Sequence, residues 1–187
     1  MPRPKKYSCI KCKPDATYFK PIGIIHSPFK DVRGMPIQPA GAKGVAGTIE
    51  IEPDYIDGLR DIEGFSHIIL IYHFHLSGAY SLLVKPFLDD TLRGVFSTRA
   101  PRRPNSIGVS VVRLTRVEGC MLFIEDVDIA DGTPLLDIKP YVPEFDDRKD
   151  VRTGWLAHKA DNVQSAKADE RFGRTKDTVQ QNSNKGT

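Results

Sequence analysis

Between Tyr18 and Val142 the apolar residues fall in short runs, several of them alternating with polar positions and all broken by Gly or Pro, a pattern that predicts strands and little helix. The predicted strands are Phe19 to His26, Val45 to Ile51, Ser66 to Leu76, Gly94 to Thr98, Ile107 to Val117, Met121 to Ile129 and Leu135 to Val142. Strands at this spacing predict a mainly β barrel or sandwich. One helical segment, Asp54 to Asp61, starts at Pro53-Asp54 and stops before Gly64, so it is a connector and not a layer. Gly34 to Gly44 holds Pro36, Pro39 and Gly41 without an apolar period, and reads as a loop that is either a lid over a site or a surface excursion. Past Asp146 the apolar content falls, apart from a possible helix over Trp155 to Arg171, and Arg174 to Thr187 is composed like a disordered tail. The expected organisation is a basic arm at 1–16, a barrel domain at 17–146, a C-terminal extension at 147–172 and a tail at 173–187.

Successive strand side chains alternate faces, which sorts the polar residues. In Ser66 to Leu76, one face carries Ile68, Leu70, Tyr72, Phe74 and Leu76, and the other carries His67, Ile69, Ile71, His73 and His75. His73 and His75 would stand about 7 Å apart, a spacing that suits two zinc ligands but leaves the third unfound, with His67 about 20 Å away. Contact with an organic ligand, or a place in the core for either histidine, is therefore favoured over metal. In Leu135 to Val142, Leu136, Ile138 and Val142 oppose Asp137, Lys139 and Tyr141. Lys139 would hold Asp137 ionised as an acceptor or weak base, and the alternative is a solvated sheet edge with one ion pair. Asp131-Gly132-Thr133-Pro134 is a turn by its chemistry, and Asp128 and Asp131 are either acceptors for amino or ribose groups or simple turn formers.

Charge adds a sharper signal than overall composition. The net charge of +3 over 187 residues points to no particular partner, but between Asp90 and Glu118 there are six arginines and no acid. At the centre of this block, Pro101 and Pro104 stiffen a loop that presents guanidinium groups, and the anion it suits best is phosphate. The following stretch, with Glu118, Glu125, Asp126, Asp128 and Asp131, is acidic. Cys9, Cys12 and Cys120 are odd in number, and no secretory or membrane-spanning run is present, so a cytoplasmic protein is expected. Cys9-Ile10-Lys11-Cys12 lacks a second ligand pair and sits among Lys5, Lys6, Lys11 and Lys13, which favours a basic arm with incidental thiols over a metal half-site. Dinucleotide, phosphate-loop and nucleophile-elbow signatures are missing, which argues against a doubly wound nucleotide fold.

Three segments, in order, resemble one family. They are Phe65-Ser66-His67 leading to His75, then Gly94-Val95-Phe96-Ser97-Thr98-Arg99 with Arg103-Pro104-Asn105-Ser106-Ile107-Gly108, and finally Asp131-Gly132-Thr133-Pro134-Leu135-Leu136-Asp137-Ile138-Lys139-Pro140-Tyr141. The chain resembles the TsaA-like, tRNA adenine-37 N6-methyltransferase family over about residues 17 to 146. Ser106 and Ala40 depart from it, standing where proline and glycine are frequent. The resemblance implies a small antiparallel or mixed β-barrel with short connecting helices, binding S-adenosyl-L-methionine, working as a homodimer, and methylating threonylcarbamoyl-adenosine beside the tRNA anticodon. It implies cofactor contacts at Pro39, Ala40, Gly41, His75, Leu76, Arg99, Val109, Asp128, Ile129, Ala130 and Asp131. Within that reading Asp137 or Tyr141, with Lys139, would serve the transfer, and Arg102, Arg103, Asn105 and Arg113 would hold the RNA of the anticodon loop. No metal is assigned. The competing classes are a non-catalytic nucleic-acid-binding barrel and, more remotely, a metal-dependent hydrolase using His73 and His75.

Overall fold

The computed structural model describes residues 17–157 and 166–173. Its strands, in chain order, are β1 (Gly23–His26), β2 (Gly47–Ile51), β3 (His67–His73), β4 (Leu83–Val84), β5 (Arg93–Gly94), β6 (Ile107–Glu118), β7 (Met121–Glu125) and β8 (Thr133–Pro140). Six of them close an antiparallel barrel in the order β1-β2-β7-β6-β3-β8, while β4 and β5 pair as a separate ribbon. Closure leaves no unpaired sheet edge among the six. The alternation of β3 decides which side is core: Ile68, Leu70 and Tyr72 point inward and are buried. They pack with Ile25, Ile49, Leu122, Ile124, Val127 and Leu135 from the other walls. Opposite them on β6 the inward positions are Val112, Ser110 and Gly108.

β8 does not keep a simple alternation. Asp137 pairs with Ile71 but Leu135 pairs with Tyr72, which leaves Leu136 as the extra residue of a bulge. Leu135 therefore enters the core, while Asp137 shares the outward face of Ile71.

Several predicted elements take other forms. The strand expected over Gly94 to Thr98 is a two-residue β5 followed by a 3-10 turn at Val95–Ser97. There the Ser97 hydroxyl donates to the Gly94 carbonyl and the Thr98 hydroxyl to that of Val95, replacing ladder bonds by local ones. β3 stops at His73 because the backbone tightens into a turn, with His75 N bonded to His73 O at 2.7 Å. The Asp54 to Asp61 helix is a 3-10 helix over Pro53–Leu59. Of the expected helix over Trp155 to Arg171, the described residues form only the 3-10 turns Gly154–Leu156 and Glu170–Phe172, the latter in an otherwise extended return segment. That segment bridges Lys167 to Pro36 and Gly173 to Ser77. Phe172 is buried there with Val84, Val95, Ala100 and Phe87 in a second apolar cluster. The Cys9 to Cys12 arm and residues 174–187 lie outside the described residues; Cys120 is a free, half-buried thiol in the β6–β7 turn.

Candidate functional site

A cavity of about 1140 Å³ opens where the barrel mouth, the Gly34 to Gly44 loop, the arginine loop and the C-terminal return segment meet. Its barrel side is built from paired strands. Gly108 faces Tyr72 across β3 and β6, and a Cβ there would run into the Tyr72 ring and lie 2.8 Å from Phe74 Cζ. With that space open, the Tyr72 hydroxyl reaches Ser110 Oγ at 3.1 Å, and Ser110 Oγ donates to Asp128 Oδ1 at 2.7 Å. Burial pushes the Asp128 carboxyl up to about 6, against the Ser110 bond, a backbone bond and the charge of Arg99. Burial likewise raises the Tyr72 phenol, and the Asp128 charge adds to it. The cavity thus holds a carboxyl group whose protonation is balanced near pH 6.

The remaining walls are loops tied to one another. Arg99 Nη1 donates to Gln38 Oε1 at 3.0 Å, joining the arginine loop to the Gly34 to Gly44 loop beside its 3-10 turn Pro39–Gly41. Thr133 Oγ1 donates to the Ala130 carbonyl at 2.7 Å and so accepts from His75 Nδ1 at 3.2 Å. Arg103 Nη1 donates to the carbonyls of Val95 and Thr98 at 3.1 and 2.9 Å, which sets the curvature of its own loop.

The profile of the tRNA-methyltransferase O N-terminal domain matches residues 24–147. The chain belongs to this family. A protein of Pyrococcus abyssi named as a probable S-adenosyl-L-methionine-binding protein is 58% identical over 154 residues, 82% of this chain and 84% of that one. The human tRNA (adenine(37)-N6)-methyltransferase is 35% identical over 161 residues, 80% of this chain but 36% of that protein. The crystal structure of TrmO from Pseudomonas aeruginosa superposes with a TM-score of 0.65 at 41% identity, covering 75% of this chain and 62% of that chain. The chain therefore spans most of the archaeal relative and about a third of the human one.

Against this family frame, Pro39, Ala40, His75, Leu76, Arg99, Val109, Asp128, Ile129 and Ala130 all line the cavity, as does Arg103. Gly41 closes the 3-10 turn without lining it. Asp131 turns away: it accepts from Lys30 Nζ at 2.6 Å and Ser27 N at 3.1 Å, contacts that hold its carboxyl below the usual range, and it lines a separate groove with His26. Asp137 and Lys139 form an ion pair of 2.7 Å outside the cavity. Tyr141 donates to Asp147 Oδ1 at 2.7 Å, which raises its phenol pKa, and it also lies outside. Arg102 points inward, Nη2 donating to the Gly173 carbonyl at 2.9 Å, with Nε buried and unpartnered. Asn105 is exposed, and Arg113 pairs with Glu125 at 3.8 Å on the outer face. His73 is exposed while His75 lines the cavity, so the two do not share a face; among the described residues no group of three His, Cys, Asp or Glu is placed to hold a metal.

Tyr72, Ser110, Gln38, Trp155 and Phe172 were not expected at the site. Strand parity places Tyr72 and Ser110 on inward faces, and a buried hydroxyl opposite a phenol is a usable signal. Gln38 had no signal beyond its place in the loop, and Trp155 and Phe172 reach the cavity only because the chain returns across it from outside the family match.

Proposed function

We propose that this chain transfers a methyl group from S-adenosylmethionine to N6 of adenosine 37 in tRNA, with the threonylcarbamoyl nucleoside as acceptor. In this reading it acts on the anticodon loop as a cytoplasmic homodimer. The observation that carries the proposal is the convergence of the arginine loop, the Pro39–Gly41 turn, His75 and Asp128 to Ala130 on one cavity. At about 1140 Å³ the cavity is large enough for a nucleoside cofactor, against about 300–1,000 Å³ for ordinary small-molecule pockets. When bound, S-adenosylmethionine supplies a methyl group on a cationic sulfur, open to in-line attack by a nitrogen lone pair.

The residues fit that group. Asp128 offers an acceptor to ribose hydroxyls or an amino group, and Arg99 offers a guanidinium to a carboxylate. The Gly34 to Gly44 loop, tied to the arginine loop through Gln38, would help hold the reactants at contact distance, from which most of the acceleration of such a displacement comes. Unstacking the acceptor costs little in an anticodon loop, where the base is already unpaired.

The homodimer and the role of Asp137, Lys139 and Tyr141 depend on each other. Ile69, Ile71, Val109 and Val111 form an apolar strip on the outer face of β3 and β6. Val109 is 52% exposed and also borders the cavity. Asp137 and Val109 flank Ile71 on either side, about 10 Å apart across two strand spacings. A second copy seated on this strip would bring its own cavity mouth toward Asp137. The test of the proposal is mass spectrometry of tRNA nucleosides after incubation with purified protein and S-adenosylmethionine. A gain of one methyl on threonylcarbamoyl-adenosine, and none on unmodified adenosine 37, is expected; tRNA left unchanged would overturn the assignment.

A further inference from the structure

We propose that Phe96 and Trp155, with the guanidinium groups of Arg103 and Arg93 set over their rings, form a stacking platform for an unpaired RNA base at the cavity mouth. This rests on the reading of tRNA as the substrate, and assigns to it a surface that neither the methyl donor nor the reacting nitrogen requires. Phe96 is 74% exposed, although it lines the cavity. It is not loosely held, because the 3-10 turn that carries it is fixed by the Ser97 and Thr98 hydroxyls and by Arg103 Nη1 on the Val95 carbonyl. Trp155 reaches the same loop from outside the family match, its indole Nε1 donating to the Ser97 carbonyl at 2.8 Å.

Each ring carries a cation. Arg103 Cζ lies 5.8 Å from the Phe96 centroid and Arg93 Cζ 5.5 Å from that of Trp155. Arg93 is itself oriented by Asp89, whose Oδ2 accepts from its Nε at 2.9 Å and its Nη2 at 2.6 Å. A rigid exposed ring beside a fixed guanidinium offers a base a π-face and a neighbouring phosphate a counter-charge, the combination that binds single-stranded nucleic acid without sequence preference. Arg93 is ion-paired with Asp89, but Arg99 and Arg103 bond only neutral acceptors, the Gln38 amide and backbone carbonyls, and so keep beside the platform the positive charge that RNA requires and an apolar protein partner would not.

Trp155 is the sole tryptophan, so intrinsic fluorescence reports this surface directly. The full chain would be titrated with a seven-nucleotide single-stranded anticodon-loop RNA, and with an abasic chain of the same phosphate count. Saturable quenching by the RNA and not by the abasic chain is expected. Phe96→Ala should weaken RNA binding by about tenfold, from the stacking of one base, with Phe96→Tyr restoring it and S-adenosylmethionine affinity by calorimetry unchanged. Equal quenching by the abasic chain would overturn the proposal. So would quenching by S-adenosylmethionine alone with loss of its affinity in Phe96→Ala, since the rings would then belong to the methyl donor. Unchanged RNA affinity in Phe96→Ala would overturn it as well. RNA quenching without methyl transfer would refute the proposed function and leave the platform standing, and transfer by a chain whose Trp155 ignores RNA would do the reverse.

Discussion

Asp128 is where the chemistry of the cavity depends on a single proton. Its folded pKa of about 6 lies above the ordinary 3.8, so the folded chain binds that proton more tightly than the unfolded chain does. Stability from this group is full below the unfolded value, falls as pH rises through about 6, and is flat above it. Asp128→Asn removes that slope and, allowing for partial exposure, stabilises the chain at pH 7.5 by about 1–2 kcal/mol, as urea denaturation at pH 5 and pH 7.5 would show. The same substitution should weaken S-adenosylmethionine binding and abolish its rise between pH 5 and pH 7. An unaltered pH slope would mean that the carboxyl is not the titrating group. Gly108 answers to packing instead. Gly108→Ala would collide with the Tyr72 ring and press on Phe74, a destabilisation of about 1–3 kcal/mol, and a thermal melt indistinguishable from wild type would contradict that placement.

At the scale of elements, the arginine loop is less a uniform RNA-binding surface than its composition suggests. Arg103 bonds its own loop, Arg99 reaches the neighbouring loop, and Arg102 holds the C-terminal return at Gly173. Arg102→Ala is therefore expected to leave the salt dependence of RNA binding unchanged, because no phosphate contact is lost. It should still lower the melting temperature by loosening the segment that carries Phe172, and a shallower salt slope would instead place Arg102 on RNA. The barrel strands were legible because Ile68, Leu70 and Tyr72 alternate with outward residues and one face must be buried. The loops that line the cavity were legible by length and charge. What periodicity could not carry was the bulge at Leu136, which shifts Leu135 into the core, since a bulge is set by pairing with β3 and not by β8 itself. Nor could it carry the 3-10 turn at Val95–Ser97, where side-chain hydroxyls displaced the ladder, or the return of residues 166–173 across the cavity, which depends on contacts remote in sequence.

At the scale of the molecule, Asp137, Lys139 and Tyr141 lie outside the cavity of their own chain, and the role proposed for them rests on the proposed dimer. If the strip on β3 and β6 is the contact, sedimentation should give a dimer, and Ile71→Asp should yield monomers that bind S-adenosylmethionine yet turn over at least about a hundredfold more slowly, the scale of losing one acid–base group. Monomeric wild type with full activity would remove Asp137, Lys139 and Tyr141 from the mechanism. The most direct measurement of the central claim is calorimetric titration of S-adenosylmethionine into wild type and Arg99→Ala. One site per chain is predicted, weakened about tenfold or more when the guanidinium that joins the two cavity loops is removed, in line with a bond to a charged group, while the melting temperature holds. Absence of saturable binding by wild type, or equal affinity in the two proteins, would contradict it.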